Sequence, residues 1–214
     1  MLDASHVVYL ARGALALGTG PDDAAECLTS ALRATSCWEV GRMWTSAMIL
    51  DEQVDPQLGQ LGLAPPSDSG WGEYLSTYSL SNSAPMVAGG VGGRHDDDLL
   101  NHVIEEALRQ PTLLVTNDED LFMSARRRFF NDDLVSLSSE NSTGMMIKLL
   151  RCGAVPGEFV EACLTAEYTN LEAMRSRGMS PAKYERKRHR LEWAVQQLAL
   201  FRYDDEWSPD HPGD

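Results

Sequence analysis

Apolar residues recur at helical spacing from His6 to Leu17, and the run stops at Gly18-Thr19-Gly20-Pro21. Pro21 opens a second predicted helix that reaches about Thr35. Its first turn holds Asp22, Asp23 and Glu26, where carboxylates suit the positive end of a helix dipole. Trp38, Val40 and Trp44 alternate with Glu39 and Arg42, a strand pattern. Thr45 or Ser46 can then cap a helix carrying Met48, Ile49 and Leu50. Gly62 to Pro85 is rich in Pro, Gly and Ser and reads as a loop-rich insertion, bounded at residues 62–93, with one short helix around Trp71 to Leu80. Pro85 to Val91 predicts a short strand and Asp98 to Arg109 a helix. Thr112 to Val115 is a brief apolar run that suits a buried strand. A helix over Glu119 to Phe130, a strand over Leu134 to Leu137 and a helix from Ser139 to Arg151 follow.

Helices alternating with short apolar strands predict an α/β fold with a mostly parallel sheet. The alternation ends at Pro156. Gly157 to Arg177 and Pro181 to Arg202 read as two helices joined around Gly178, an antiparallel hairpin over residues 157–203. Residues 204–214 form an acidic tail with two prolines.

Composition narrows the chemistry. The 214 residues carry a net charge of −14, which opposes sequence-independent binding to a phosphate backbone through overall charge. Basic residues do cluster late, at Arg126, Arg127 and Arg128 and again from Lys183 to Arg190. The first cluster is a candidate RNA contact. The second reads as the outer face of a helix whose apolar side carries Leu191, Ala194, Val195 and Leu198. The cysteines Cys27, Cys37, Cys152 and Cys163 form no zinc spacing and read as buried free thiols. The start of the chain lacks a secretory pattern and no apolar run is long enough to span a bilayer, so the expected compartment is the cytoplasm. His102 with Glu105 and Glu106 lacks the second His of a zinc helix, and Gly89-Gly90-Val91-Gly92-Gly93 lacks the Lys of a phosphate loop.

Ligand sites of open parallel sheets lie at the carboxyl ends of the strands. The acids predicted there are Asp3, the trio Asp96-Asp97-Asp98, and Asp118 with Asp120; Glu52 lies inside a helix and would have to point back to the same edge. Leu114-Val115-Thr116-Asn117-Asp118-Glu119-Asp120-Leu121 resembles the signature of PIN-domain nucleases, in which an apolar strand ends in Thr-x-Asp-x-Asp-Leu. Asp98-Leu99-Leu100 is similar to the family's helix-starting Asp. Thr45 to Glu52 is similar to the segment in which a Ser/Thr cap precedes a helical acid, and Asp3-Ala4-Ser5 to the opening motif. Leu134 to Ser139 is similar to the last strand and helix cap. The resemblance covers residues 1–151 and leaves the hairpin unexplained.

It implies a three-layer fold, a short-stranded central sheet flanked by helices. It also implies a carboxylate cluster around one or two Mg²⁺ or Mn²⁺ ions, hard cations that take oxygen ligands. Asp3, Glu52, Asp98 and Asp118 would be the catalytic, metal-holding set, with Asp120 nearby, Asp97 competing with Asp98, and Thr116 supporting a carboxylate. The implied activity is a metal-dependent endoribonuclease. Many small PIN proteins are toxins of toxin–antitoxin pairs, which adds a neutralising protein to the candidate partners; a second copy of the chain, in a homodimer, is a further candidate. The alternative is a PIN-like scaffold without activity that binds protein. Each acid also has a plainer reading as a helix cap or a solvated surface residue.

Overall fold

The computed structural model describes residues 2–17, 20–37, 54–63, 65, 70–71, 95–109, 111–131 and 137–206; within these, the side chains at 36–37, 95–98, 102, 129–131, 137 and 202–206 lie outside the description. The helices are α1 (Ala4–Ala16), α2 (Pro21–Cys37), α3 (Asp55–Gln60), α4 (His95–Ala107), α5 (Glu119–Asn131), α6 (Ser142–Arg151), α7 (Gly157–Ser176) and α8 (Pro181–Glu206). The strands are β1 (Thr112–Thr116), which precedes α5, and β2 (Leu137–Asn141), which precedes α6. Among the described residues the chain is mostly helical around a small parallel sheet.

β1 runs parallel to β2, with Thr112 opposite Leu137 and Thr116 opposite Asn141. On its other edge β1 takes a parallel bridge from Leu2, and the Asp3 amide donates to the Val115 carbonyl at 3.1 Å. The carboxyl end of β1 is therefore flanked by Asp3 on one side and Asn141 on the other. Leu114 and Val115 are buried, as a strand covered on both faces requires.

α1 is the central helix. Ala4 and the six consecutive positions His6 to Ala11 are buried, and so are Gly13 and Ala14. A helix apolar all round must be enclosed, and α1 is packed by α2, α7, β1 and α3. It approaches α7 tightly at Gly13, where a Cβ would lie 3.0 Å from the Cys163 Cα and inside contact distance of its sulfur. The α7–α8 turn ends in a left-handed Gly178 (φ 96°), with the Met179 amide returning to the Met174 carbonyl at 3.1 Å. The hairpin is no appendage: Phe159, Val160, Cys163, Leu171, Leu191, Ala194 and Leu198 share one core with α1 and the sheet.

Several expectations shift. Strand β2 begins at Leu137 and runs to Asn141, so the next helix starts at Ser142 rather than Ser139. Asn141 is the cap, accepting from the Gly144 amide at 2.8 Å, and Ser138 and Ser139 are used in the ladder instead. α3 was not expected; its single buried side chain, Leu58, gives little periodicity to read. Of the cysteines described, Cys163 alone is buried, Cys152 is exposed and Cys27 is intermediate; all three are free. Val195, expected on the apolar side of α8, is 45% exposed. The strand expected over Trp38 to Trp44, the cap at Thr45 or Ser46, most of the 62–93 insertion with the strand at Pro85, and Leu134 to Ser136 lie outside the described residues.

Candidate functional site

Two segments far apart in sequence meet at the carboxyl end of β1. Asp3 is buried and caps α1, its Oδ2 accepting from the Ser5 amide at 3.3 Å and from the Ser5 hydroxyl. Thr116, the last residue of β1, donates its hydroxyl to the same oxygen at 2.7 Å. The Ser5 hydroxyl lies 3.1 Å from that of Thr116 and receives the amides of Asn117 and Asp118 at 2.8 and 3.1 Å. The Asp118 amide also reaches the Thr116 hydroxyl, at 2.9 Å. Two hydroxyls thus tie the start of α1 to the β1–α5 turn.

Asp118 is the cap of α5. Its Oδ1 accepts from the amides of Asp120 and Leu121 at 2.7 and 3.1 Å. Among the described residues no Lys or Arg pairs with Asp3 or Asp118. The neighbouring acids differ. Asp120 is exposed and bonds Lys183 at 2.9 Å, and that ammonium holds its carboxyl below the ordinary value. Glu119 is fully buried and gripped by Arg186 at 3.1 Å and by both terminal nitrogens of Arg190. Glu52 lies outside the described residues. Asp97 and Asp98 sit at the start of α4, but their side chains lie outside the description. Among the described residues no three His, Cys, Asp or Glu side chains come together as a metal group. The structure therefore joins Asp3, Thr116 and Asp118, places Asp120 two residues further on in an ion pair, and leaves Glu52, Asp97 and Asp98 without a described position at the edge.

Arg126, Arg127 and Arg128 are exposed on α5, with the Arg126 guanidinium 5.7 Å from the centre of the Phe122 ring; Arg190 covers the same ring at 4.7 Å. The basic run of α8 departs from the expected outer face. Lys183, Arg186, Lys187 and Arg190 turn inward to α5 and α7, and Arg188 faces out to Glu185 and Glu192.

Residues that sequence reasoning passed over hold the turn. Glu167 on α7 is buried. It accepts from the Asn117 side-chain amide at 2.9 Å and pairs with Lys187 at 3.4 Å and Arg12 at 3.7 Å. Lys187 in turn donates to the Asn117 carbonyl at 3.1 Å. The signal was present: Val160, Cys163, Leu164, Glu167 and Leu171 fall on one helical stripe, so a Glu occupies a core position and needs a buried partner. His6 is buried, with Nδ1 2.9 Å from the Ser142 hydroxyl and, among the described residues, no partner for Nε2; burial lowers its pKa to about 3.

In comparison with known proteins, no family model, no curated protein and no solved structure matches the chain significantly. No helix of the described residues is long and apolar enough to cross a membrane.

Proposed function

We propose that the chain is a PIN-like, metal-dependent endoribonuclease whose site lies at the carboxyl end of β1. The observation that carries this reading is the link from the Asp3 carboxylate through the Thr116 and Ser5 hydroxyls to the Asp118 amide, which brings both residues to the end of β1. These two carboxylates accept bonds from hydroxyls and amides and take no described cation, whereas Glu119, Asp120 and Glu167 all do. Carboxylates left without a cation at a shared edge repel one another, and a divalent ion removes that cost. Their oxygens suit Mg²⁺ or Mn²⁺. Glu52 and Asp98, or Asp97 in its place, would complete the set, with Asp120 released from Lys183 or remaining beside it. A bound ion would lower the pKa of a water and stabilise charge developing at phosphorus. Ser5 and Thr116 fix the orientation of the Asp3 carboxylate, and Asp118 is fixed by the α5 amides. RNA is the proposed substrate, with Arg126, Arg127 and Arg128 on the exposed face of α5 as its phosphate contacts, and an antitoxin-like protein is a proposed partner.

A Mn²⁺ titration followed by thermal melting tests this. Ligands of the native state stabilise it by mass action, by about 2.7 kcal/mol at a hundred times the dissociation constant. The melting temperature should rise with Mn²⁺, and Asp3→Asn or Asp118→Asn should remove the rise.

A second reading, an inactive PIN-like scaffold that binds protein, is favoured by the outward apolar residues of α8, Trp193, Val195 and Leu200. A melting temperature indifferent to Mn²⁺ and Mg²⁺ would select it.

A further inference from the structure

Asp118 is flanked by two residues, and both are held from the C-terminal hairpin. On one side, Asn117 is gripped twice: Lys187 takes its carbonyl at 3.1 Å and Glu167 takes its side-chain amide at 2.9 Å. Lys187 and Glu167 also meet each other at 3.4 Å, so the three residues close a triangle spanning α8, α7 and the turn. On the other side, Glu119 is held by Arg186 and bidentately by Arg190. α8 is itself anchored by Leu191, Ala194 and Leu198 in the core.

Such contacts are a poor source of stability. Removing two charges from water is costly, and a well-packed apolar substitute of similar size is often as stable or more so. What a buried ion pair does supply is fixed geometry. Arg190 binds Glu119 as a planar fork, which sets orientation as well as distance. Lys187 adds a charge-assisted bond to the backbone of the residue directly before Asp118.

We propose that the α7–α8 hairpin is a positioning device for the site. Lys187, Glu167, Arg186 and Arg190 are positioning residues that hold Asn117 and Glu119 on both sides of Asp118, so that its carboxylate is preorganised at the end of β1 that Asp3 shares. Outer partners of this kind orient metal ligands, and their loss costs about 10–100-fold in metal affinity. The inference deepens the nuclease reading and rests on it for the metal readout alone; the placement of the turn can be measured without metal.

The test uses the full chain, with Lys187→Met and the conservative Lys187→Arg, and Glu119→Gln should Lys187→Met fail to fold. Residue-resolved amide exchange is followed in EDTA, and Mn²⁺ affinity is measured by titration on the folded proteins. The Asp118 amide, donated to Ser5 and Thr116, is the reporter. In Lys187→Met its exchange should quicken about tenfold or more beyond any change at the α1 amides of Leu10 and Ala11, and the Mn²⁺ dissociation constant should rise about tenfold. Lys187→Arg should restore much of both. Exchange at Asp118 that stays at the wild-type rate, or that quickens only in step with α1, overturns the positioning role and assigns these pairs to general stability. A wild-type chain that binds no Mn²⁺ contradicts the metal reading instead, and the exchange result then decides the positioning role alone.

Discussion

Carboxylates of two kinds stand at the end of β1. Glu119 and Glu167 are buried against cations, while Asp3 and Asp118 are held by hydroxyls and amides. Replacing Asp118 by Asn should therefore leave the fold intact, because Asn caps a helix about as well as Asp; a loss of more than about 1 kcal/mol in chemical denaturation would mean that the charge itself holds the turn. Glu167→Ala is different. It strips partners from Lys187, Asn117 and Arg12 at once, and breaking a buried pair in this way costs about 3–5 kcal/mol, which a shift in the denaturation midpoint would register. His6 sets a pH dependence. Its pKa is lowered to about 3 in the folded chain, so between that value and the ordinary 6.5 the unfolded state binds more protons. Stability should then fall as the pH drops below 6.5, by at most about 1.4 kcal/mol per pH unit from this group. Comparing wild type with His6→Gln between pH 5 and 6.5, above most carboxylate titration, isolates it; equal slopes would contradict the assignment. At this scale the place of Asp118 and Asp120 just after β1 was legible, because the Thr-x-Asp-x-Asp pattern follows an apolar strand. Glu167 showed only as an acid on an apolar stripe, and its partners Lys187 and Asn117 did not show, because they are distant in sequence.

Elements were easier to read than contacts between them. α1, α2, β1 and the hairpin helices follow from apolar periodicity and from the Gly and Pro residues that bound them. The boundary of β2 was misplaced because Ser139 and Asn141 are equally able to cap, and only the ladder with β1 decides between them. The basic run on α8 was assigned to solvent because charge usually faces out. Yet Lys187 lies between Tyr184 and Leu191 on the stripe that continues to Ala194 and Leu198, and an inward Lys there requires buried acids that periodicity cannot supply. The crossing of α1 and α7 gives a sharp prediction. Gly13→Ala gains about 1 kcal/mol in helix propensity, but the new methyl meets the Cys163 backbone at 3.0 Å. Overpacking costs about 1–3 kcal/mol, so the variant should melt lower than wild type, and adding Cys163→Ala should recover part of the loss. An unchanged or higher melting temperature would show that the helices can separate freely.

For the molecule as a whole, the hairpin that sequence reading set apart as an extension closes the core. α7 covers α1, α8 covers α7 and α6, and cations from α8 reach the β1–α5 turn. A chain ending at residue 156 should lose the cooperative thermal transition, because the side of α1 around Gly13 that packs on α7 would be left in water. A truncated chain that melts cooperatively near the wild-type temperature would make the hairpin a true appendage. The net charge of −14 fits the same picture: Lys183, Arg186, Lys187 and Arg190 pair with acids of the chain itself, which under the nuclease reading leaves substrate to the proposed metal edge and to the arginines of α5. The most direct test of the nuclease reading is cleavage of a mixed RNA pool by the full chain with Mn²⁺, with Mg²⁺ and with EDTA, beside Asp118→Asn. Cleavage that requires the divalent ion and disappears in the folded variant is the predicted result; undiminished cleavage by Asp118→Asn, or in EDTA, would contradict it.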